Sequence, residues 1–397
     1  MTSTSSPMAA VSRAGFVLVA LSLAATQWSI FAAQTAFEIA ALLWLFVIVR
    51  QRQALAAPPF FLPLLVYAAL TLTSAAFSLD RLASLSDSRQ LLLFLIVPVV
   101  AMFARGERAT RVVDVVIAFG AASAVVGILQ SGVFGYNTLD TRPVGPLSHW
   151  MTFSGVLMLA TGAAVARLLF ARKEWVWPAI AVPALLAALA LSLTRNAYLG
   201  TGAAVAVLML VRNWRLLLIL PVAGLIVFLI APGIVMTRIN SIGDPNDLAA
   251  RDRLAMLRMG VHMVRDHPLT GVGPEMVQRV YPEYRDPMAV NPTNPHLHNV
   301  PMQIAAERGL PALAAWLWFV VVASRDLWRQ LLRGPAKALA GAGLAAMVAM
   351  LVAGLFEYNF GDSEFLMLFL GLITLPWAAA RSEGAANAAA GPVEARP

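Results

Sequence analysis

The chain lacks cysteine altogether, and it is poor in charge. Only 13% of its 397 residues are Asp, Glu, Lys or Arg, against roughly 25% in an average soluble domain. The missing cysteines exclude disulfide bonds, thiolate metal sites and thiol nucleophiles. Scarce charge combined with 59% hydrophobic residues excludes a soluble enzyme, a disordered chain and a coiled coil. A helical membrane protein remains.

Long apolar runs recur along the whole chain, and a bilayer-spanning helix needs about 20 such residues. They predict an all-α polytopic membrane protein with about 12 transmembrane helices. We place these helices near 14–33, 34–49, 58–78, 90–104, 112–134, 148–166, 174–194, 197–211, 216–232, 310–324, 338–360 and 363–380. Residues 1–232 would then hold helices 1–9, 233–309 one large loop that carries the site, 310–380 helices 10–12, and 381–397 a disordered tail.

The basic residues indicate the orientation of these helices. Arg and Lys recur in the termini and in every second connection, as at Arg50, Arg105 and Arg212. Cytoplasmic loops carry this excess, whereas long loops translocate regardless of charge. The pattern predicts cytoplasmic termini and an outward-facing large loop. The net charge of +8 therefore indicates topology and not a nucleic-acid partner.

The large loop contains a predicted amphipathic helix at 249–266, which the run DHPLTGVG at 266–273 ends. Guanidinium groups bind phosphate oxygens bidentately, so a basic stripe on this helix suits a phosphate or diphosphate headgroup. A solvated face or a general lipid contact is the alternative. The stripe consists of Arg251, Arg258, His262 and Arg265.

A second informative segment of the loop leads into a helix that starts near Asn299, a favourable N-cap. His298 would lie at the positive end of the helix dipole, which disfavours imidazolium and keeps the ring able to accept a proton. Gly309 is placed to end or kink this helix. A structural His298, or a metal pair with His296, are the alternatives; we expect no metal because no carboxylates cluster at ligand spacing.

Further polar residues lie at predicted membrane boundaries. Arg195 separates two strongly apolar stretches, and ionisable residues at membrane depth are costly and by default functional. Arg142 is a weaker candidate. An acidic cluster near the last outer turn would pair with arginines or orient sugar hydroxyls; it comprises Glu357, Asp362 and Glu364.

These motifs together resemble a known family. His298 and Asn299, followed nine residues later by Gly309, resemble the His-(Asn/Ser/Gln)-x9-Gly-x-x-(Gly/Thr/Tyr) signature of bacterial O-antigen ligases, although Ala312 stands at the last position. HNVPMQIAAERG, the preceding R-x6-R-x6-R helix and LTRN with Arg195 are typical of the wider ligase and polymerase superfamily.

The resemblance implies a GT-C-like glycosyltransferase of the bacterial inner (cytoplasmic) membrane with a periplasmic site. It would transfer O-antigen polysaccharide from undecaprenyl diphosphate to lipid A-core in lipopolysaccharide biosynthesis, without metal, cofactor, ATP or nucleic acid. His298 matches the signature base, and Arg195 and Arg265 match arginines that hold the diphosphate. We add Arg142 and Arg258 to the diphosphate set and predict acceptor or supporting roles for Asn299, Glu307, His262 and Glu357.

Three other functions remain open. An O-antigen polymerase and a protein O-oligosaccharyltransferase belong to the same superfamily. A lipid-linked oligosaccharide transporter also fits twelve helices, but it should carry ionisable groups along a midplane path. Acids other than Glu38 lie only within four residues of an end of a predicted transmembrane helix. The placement of charge therefore favours an enzyme with its site at the outer face.

Overall fold

The computed structural model describes residues 7–138, 140–171, 176–230 and 248–381. Every regular element in these residues is a helix, which confirms the predicted all-α class. The α-helices are α1 Pro7–Ala25, α2 Ile30–Gln51, α3 Phe61–Phe77, α4 Arg81–Asp87, α5 Ile96–Phe103, α6 Glu107–Gly132, α7 Trp150–Phe170, α8 Val176–Leu191, α9 Arg195–Arg212, α10 Ile219–Ile230, α11 Leu248–Asp266, α12 Val277–Tyr284, α13 Val300–Arg333, α14 Lys337–Ala353 and α15 Ser363–Ala380. Short 3-10 helices cover Ser88–Leu95, Trp214–Leu218 and Asn359–Gly361.

The helices confirm a multi-pass membrane protein. Seven helical segments are long and apolar enough to cross a bilayer: α1, α2, the continuous run Arg81–Phe103, α6, α7, α13 and α15. Three shorter apolar helices, α3, α8 and α14, accompany them. Each of the predicted transmembrane stretches overlaps a helix, although 14–33 runs past the end of α1 into α2 and 338–360 runs past the end of α14. The count of twelve stays a prediction.

Helices α7, α14 and α15 form the centre of the bundle. Of the 18 residues that form the apolar stretch of each helix, 78% are buried in α7 and 72% in α15. The corresponding share is 33% in α1 and 28% in α2. Small residues allow close approach, because a Cβ on Gly162 of α7 would lie only 3.0 Å from the Cβ of Ala345 in α14. The outward faces of α1 and α2 instead expose large apolar residues such as Phe31 and Leu42, which suits contact with lipid.

Helix α13 is kinked at Gly309, as predicted, because a second segment pairs with its backbone there. Gly309 has φ 81°, and a Cβ on it would lie 2.2 Å from the carbonyl oxygen of Leu269. The N–H of Leu310 donates to the carbonyl of Pro268 at 2.8 Å, and the N–H of Val272 donates to that of Ala306 at 2.9 Å. The two bonds satisfy the Leu310 N–H and the Ala306 carbonyl, which would pair with each other in an unbroken helix. They also join the segment DHPLTGVG to α13, the helix that follows His298.

Residues 248–299 build a small hydrophobic core of their own over the start of α13. The predicted amphipathic helix is present as α11, and its buried side carries Met256, Met259 and Met263. Leu254 and Val261 of the same helix are exposed. Residues 231–247, which include the beginning of the predicted loop at 233, and the predicted disordered tail from Ser382 lie outside the described residues.

Candidate active site

The imidazole of His298 lies against the carboxylate of Glu357. The distance from His298 Nδ1 to Glu357 Oε2 is 3.1 Å. Glu357 is buried, with 7% of its surface exposed, whereas the His298 side chain retains 19% exposure. A histidine held by a buried carboxylate through one nitrogen presents the other nitrogen as a proton acceptor. The pair has the composition of a general base and its orienting group.

The start of α13 brings these two side chains together. Asn299 is the N-cap, as predicted, and its Oδ1 accepts the N–H of Met302 at 2.9 Å. Its Nδ2 donates to the carbonyl of Leu355 at 3.1 Å, and the Val300 N–H donates to that of Gly354 at 2.7 Å. Both bonds anchor the α13 N-terminus to the turn that carries Glu357. Asn299 therefore supports the geometry of the site.

His298 itself adopts the left-handed conformation, with φ 51°. Such a backbone is unfavourable for a residue other than glycine and persists where its surroundings hold it. The preceding N–H, that of Leu297, donates to Oε1 of the buried Gln303 at 2.6 Å. The side chain of Gln303 thus holds the turn that directs His298 toward Glu357.

His296 completes a three-residue cluster with His298 and Glu357. Its Nε2 lies 3.4 Å from Glu357 Oε1, and the two imidazole rings meet edge to face with centroids 4.3 Å apart. One ligand atom from each of the three residues lies within 4.8 Å of the others, a spacing that fits a metal ion. The sequence-based reason for expecting no metal, the lack of a carboxylate at ligand spacing, is therefore wrong, because Glu357 arrives from a distant turn.

Burial and charge act in opposite directions on this cluster. Burial alone would raise the pKa of Glu357, but the hydrogen bond from His298 and the charges of both imidazoles lower it below its ordinary value. Burial lowers the pKa of His296, although the carboxylate of Glu357 opposes this. Glu357 is therefore ionised at neutral pH, and its negative charge faces the His298 ring.

A cavity of about 240 Å³ opens beside the cluster. Glu357 and His296 form one wall, and the N-terminal ends of α7 and α9 form another. Thr152 donates a 2.5 Å hydrogen bond to Asp362 at this wall. The lining also contains Asn196, Asn359 and His149, and no arginine or lysine among the described residues belongs to it. The cavity thus offers carboxylate, amide and imidazole groups, which suit a neutral hydroxylated ligand.

Arg195 and Arg142 lie on elements that border this cavity. Arg195 is the first residue of α9, next to the cavity-lining Asn196. The guanidinium of Arg142 lies over the ring of Trp150 at 5.3 Å, and Trp150 stacks on His149 with centroids 4.2 Å apart. Their roles in holding a diphosphate stay predictions.

The predicted basic stripe lies on α11, where Arg258, His262 and Arg265 are all exposed. Arg258 approaches an acid, since its Nη1 lies 3.9 Å from Asp286 Oδ2, and it also contacts Met288. These three residues therefore lie on the exposed side of α11, opposite the small hydrophobic core. Their binding of a phosphate or diphosphate headgroup stays a prediction.

Glu307 lies in a buried ion pair and not on the cavity wall. Its carboxylate accepts a 2.7 Å hydrogen bond from Arg308, whose other nitrogen lies 3.5 Å from Asp87. Its carbonyl accepts the hydroxyl of Ser74 at 2.8 Å. The sequence predicted that Glu307 binds the acceptor or supports the site, and these contacts favour the supporting role.

The sequence placed Glu357 in an acidic cluster that would pair with arginines or orient sugar hydroxyls, and it predicted an acceptor or supporting role for this residue. Its described partners are instead His296 and His298. Gln303 and the buried Asp252 were missed, because neither belongs to the signature and a single polar residue in a helix carries no periodic signal.

The comparison with known families matches residues 180–317 to the family described as O-Antigen ligase. This segment runs from α8 into α13 and contains Arg195, Arg258, Arg265 and His298. A comparison with curated proteins found no match. The match covers the segment where most of the sequence motifs lie and confirms the resemblance. Residues 180–317 are thus similar to the O-antigen ligase family, and this similarity supports a place for the chain in the O-antigen ligase/polymerase superfamily.

Proposed function

We propose that the protein is an O-antigen ligase of the bacterial inner membrane, with cytoplasmic termini and a periplasmic site. It transfers O-antigen polysaccharide from undecaprenyl diphosphate to a sugar hydroxyl of lipid A-core in lipopolysaccharide biosynthesis. The single observation that carries the chemistry is the 3.1 Å contact between His298 Nδ1 and Glu357. The family match supports the reaction class.

The reaction in this proposal is one inverting displacement. The acceptor hydroxyl attacks the anomeric carbon while Nε2 of His298 removes its proton, and Glu357 stabilises the resulting imidazolium. A new bond forms between the acceptor oxygen and the anomeric carbon. The bond from that carbon to the diphosphate oxygen breaks, and undecaprenyl diphosphate leaves with the bonding electrons.

Arginines stabilise the leaving diphosphate in this scheme. Arg195 and Arg265 are the principal candidates, and Arg142 and Arg258 are secondary ones. Removing one charge contact of this kind costs about 2.7–4 kcal/mol in the transition state, or a factor of roughly 10² to 10³. Arg195 and Arg265 lie in motifs that are typical of the superfamily. Arg265 is also exposed on α11, where it can contact a lipid headgroup.

The acceptor sugar is proposed to enter the cavity beside Glu357. Asp362, Asn196 and Glu357 line it and accept or donate hydrogen bonds as sugar hydroxyls require. The proposed reaction needs no metal, because positive charge from arginines takes the place of a Lewis acid at the diphosphate. The histidine cluster then acts through its proton chemistry.

One assay separates ligase from the related functions. Purified protein is incubated with lipid-linked glycan together with lipid A-core, a Ser- or Thr-containing acceptor protein, or further lipid-linked glycan. We expect lipid A-core alone to be glycosylated. Elongation on the carrier would identify a polymerase, modification of the protein an O-oligosaccharyltransferase, and movement of glycan across vesicles without transfer a transporter.

The assignment of the base is tested with matched alanine variants. We expect His298→Ala to abolish transfer while the protein still folds. His267→Ala is the control, because His267 lies in the same 248–299 unit but outside the cluster and the cavity. Near-normal transfer by His298→Ala would overturn the mechanism.

A further inference from the structure

Asp252, near the start of α11, is a buried carboxylate that receives hydrogen bonds from the loop before the histidines. Only 6% of its surface is exposed. Oδ1 accepts the backbone N–H groups of Val290 at 2.9 Å and Asn291 at 3.2 Å. Oδ2 accepts the side-chain amides of Asn291 at 2.8 Å and Asn294 at 3.0 Å. A buried charge is tolerated where hydrogen bonds compensate it, as they do here.

These four bonds join two parts of the site that the sequence separates. Asp252 lies on the helix that carries Arg258 and Arg265, and its donors lie directly before His296. Burial alone would raise the pKa of Asp252, but hydrogen bonds from Asn294, Asn291 and the Val290 N–H lower it below its ordinary value. The carboxylate is therefore charged at neutral pH. The hydrogen bonds from the Asn291 and Asn294 side chains are charge-assisted and so stronger than bonds between neutral groups.

The loop that Asp252 holds has no regular structure to keep it in place. Residues 285–299 form no helix between α12 and α13. A second anchor lies just downstream, where the Leu297 N–H donates to Gln303 and the Leu297 side chain is buried against Gly260 of α11. His296 lies between the two anchors, and His298 follows the second. Loss of the first anchor should leave the histidines tethered from one side.

We infer that Asp252 is a positioning residue, which clamps the histidine-bearing loop to the arginine-bearing helix through Asn291 and Asn294. The inference rests on the proposed role of His298 as the base. A base displaced by about 1 Å costs up to roughly 10²-fold in rate. The clamp thus sets the distance between the group that takes the proton and the groups that hold the leaving diphosphate.

Asp252→Asn tests the clamp with almost no change of shape. The variant replaces one acceptor oxygen by an NH₂ group, which opposes the amide donors of Asn291 and Asn294. Asp266→Asn is the matched control. Asp266 lies on the same helix, and the variant removes the charge from the group that accepts the 2.9 Å hydrogen bond from Tyr284; Asp266 has no described bond to the histidine loop.

Two measurements distinguish positioning from general damage to the fold. The first is steady-state transfer, where we expect Asp252→Asn to lower kcat at least about 10-fold, the value of one hydrogen bond to a charged group. We expect its KM for the lipid-linked donor to stay within about twofold, because α11 keeps its methionine core. Asp266→Asn should retain the original kcat. A misplaced α11 would instead raise KM.

The second measurement needs no catalysis and uses the absence of cysteine from the chain. Leu297→Cys introduces one thiol at a position that is 1% exposed. We expect a maleimide to label it about 10-fold faster in the Asp252→Asn background than in the Asp266→Asn background. Equal labelling overturns the clamp, and faster labelling with unchanged kcat overturns its positioning role. Because labelling needs no substrate, failure of the proposed ligase activity would appear separately, in the assay with lipid A-core.

Discussion

Replacing Glu357 by glutamine keeps the shape of the side chain and removes the charge that faces His298. Two unit charges at the observed 3.1 Å attract by about 5 kcal/mol at an effective dielectric constant of about 20, which is an upper limit. A hydrogen bond to a charged group contributes about 1.5–3 kcal/mol net. If His298 becomes imidazolium in the transition state, Glu357→Gln should lower kcat roughly 10- to 100-fold.

The assay is the initial rate of transfer from lipid-linked glycan to lipid A-core, measured across pH.

The same variant tests the stability of the fold. The pKa of Glu357 is lowered from its ordinary value of 4.5, so the carboxylate raises the free energy of unfolding at neutral pH. This contribution is lost only as the pH falls through the lowered pKa. The glutamine variant should lack this contribution at every pH. Its thermal midpoint should therefore lie below that of the original protein at pH 7 and approach it in acid.

The control for this variant is Glu283→Gln on α12, where the carboxylate is exposed and lines neither the cavity nor the histidine cluster. It should change neither kcat nor the thermal midpoint measurably. A Glu357→Gln protein with the original kcat at pH 7 would refute the argument that this carboxylate stabilises the protonated base.

Three further results are expected. Chelation with EDTA should leave the transfer rate unchanged; a loss that Zn²⁺ or Mn²⁺ restores would show that the histidine–glutamate cluster holds a metal. Gly309→Ala should destabilise the protein by more than about 1 kcal/mol, measured as a lower thermal midpoint, because φ is 81° and the new Cβ would lie 2.2 Å from the Leu269 oxygen; an unchanged midpoint would contradict the close approach. The chain has no cysteine, so single cysteines report the orientation in the membrane. Glu283→Cys should react with an impermeant maleimide from the periplasmic side, and Arg111→Cys should react only after the membrane is permeabilised. The reverse pattern would overturn the predicted orientation.

The signature glycine illustrates a feature that the sequence could place but not explain. The place of Gly309 before the tenth predicted transmembrane helix predicts an end or a kink of the helix there. The reason for the kink is a backbone-to-backbone contact with Leu269. Such a contact depends on two segments that meet only after folding, so it leaves no local pattern.

The sequence by itself determined the membrane class, the helices and the N-cap at Asn299. These features follow from hydrophobic run length and from short-range backbone chemistry, which act within a few residues. Only the tertiary structure decided that Glu357, 59 residues away, is the partner of His298, and that Asp252 accepts hydrogen bonds from the loop before His296. Contacts of that range form when packed helices bring chain segments together, and hydrophobic periodicity carries no information about which polar residues then meet.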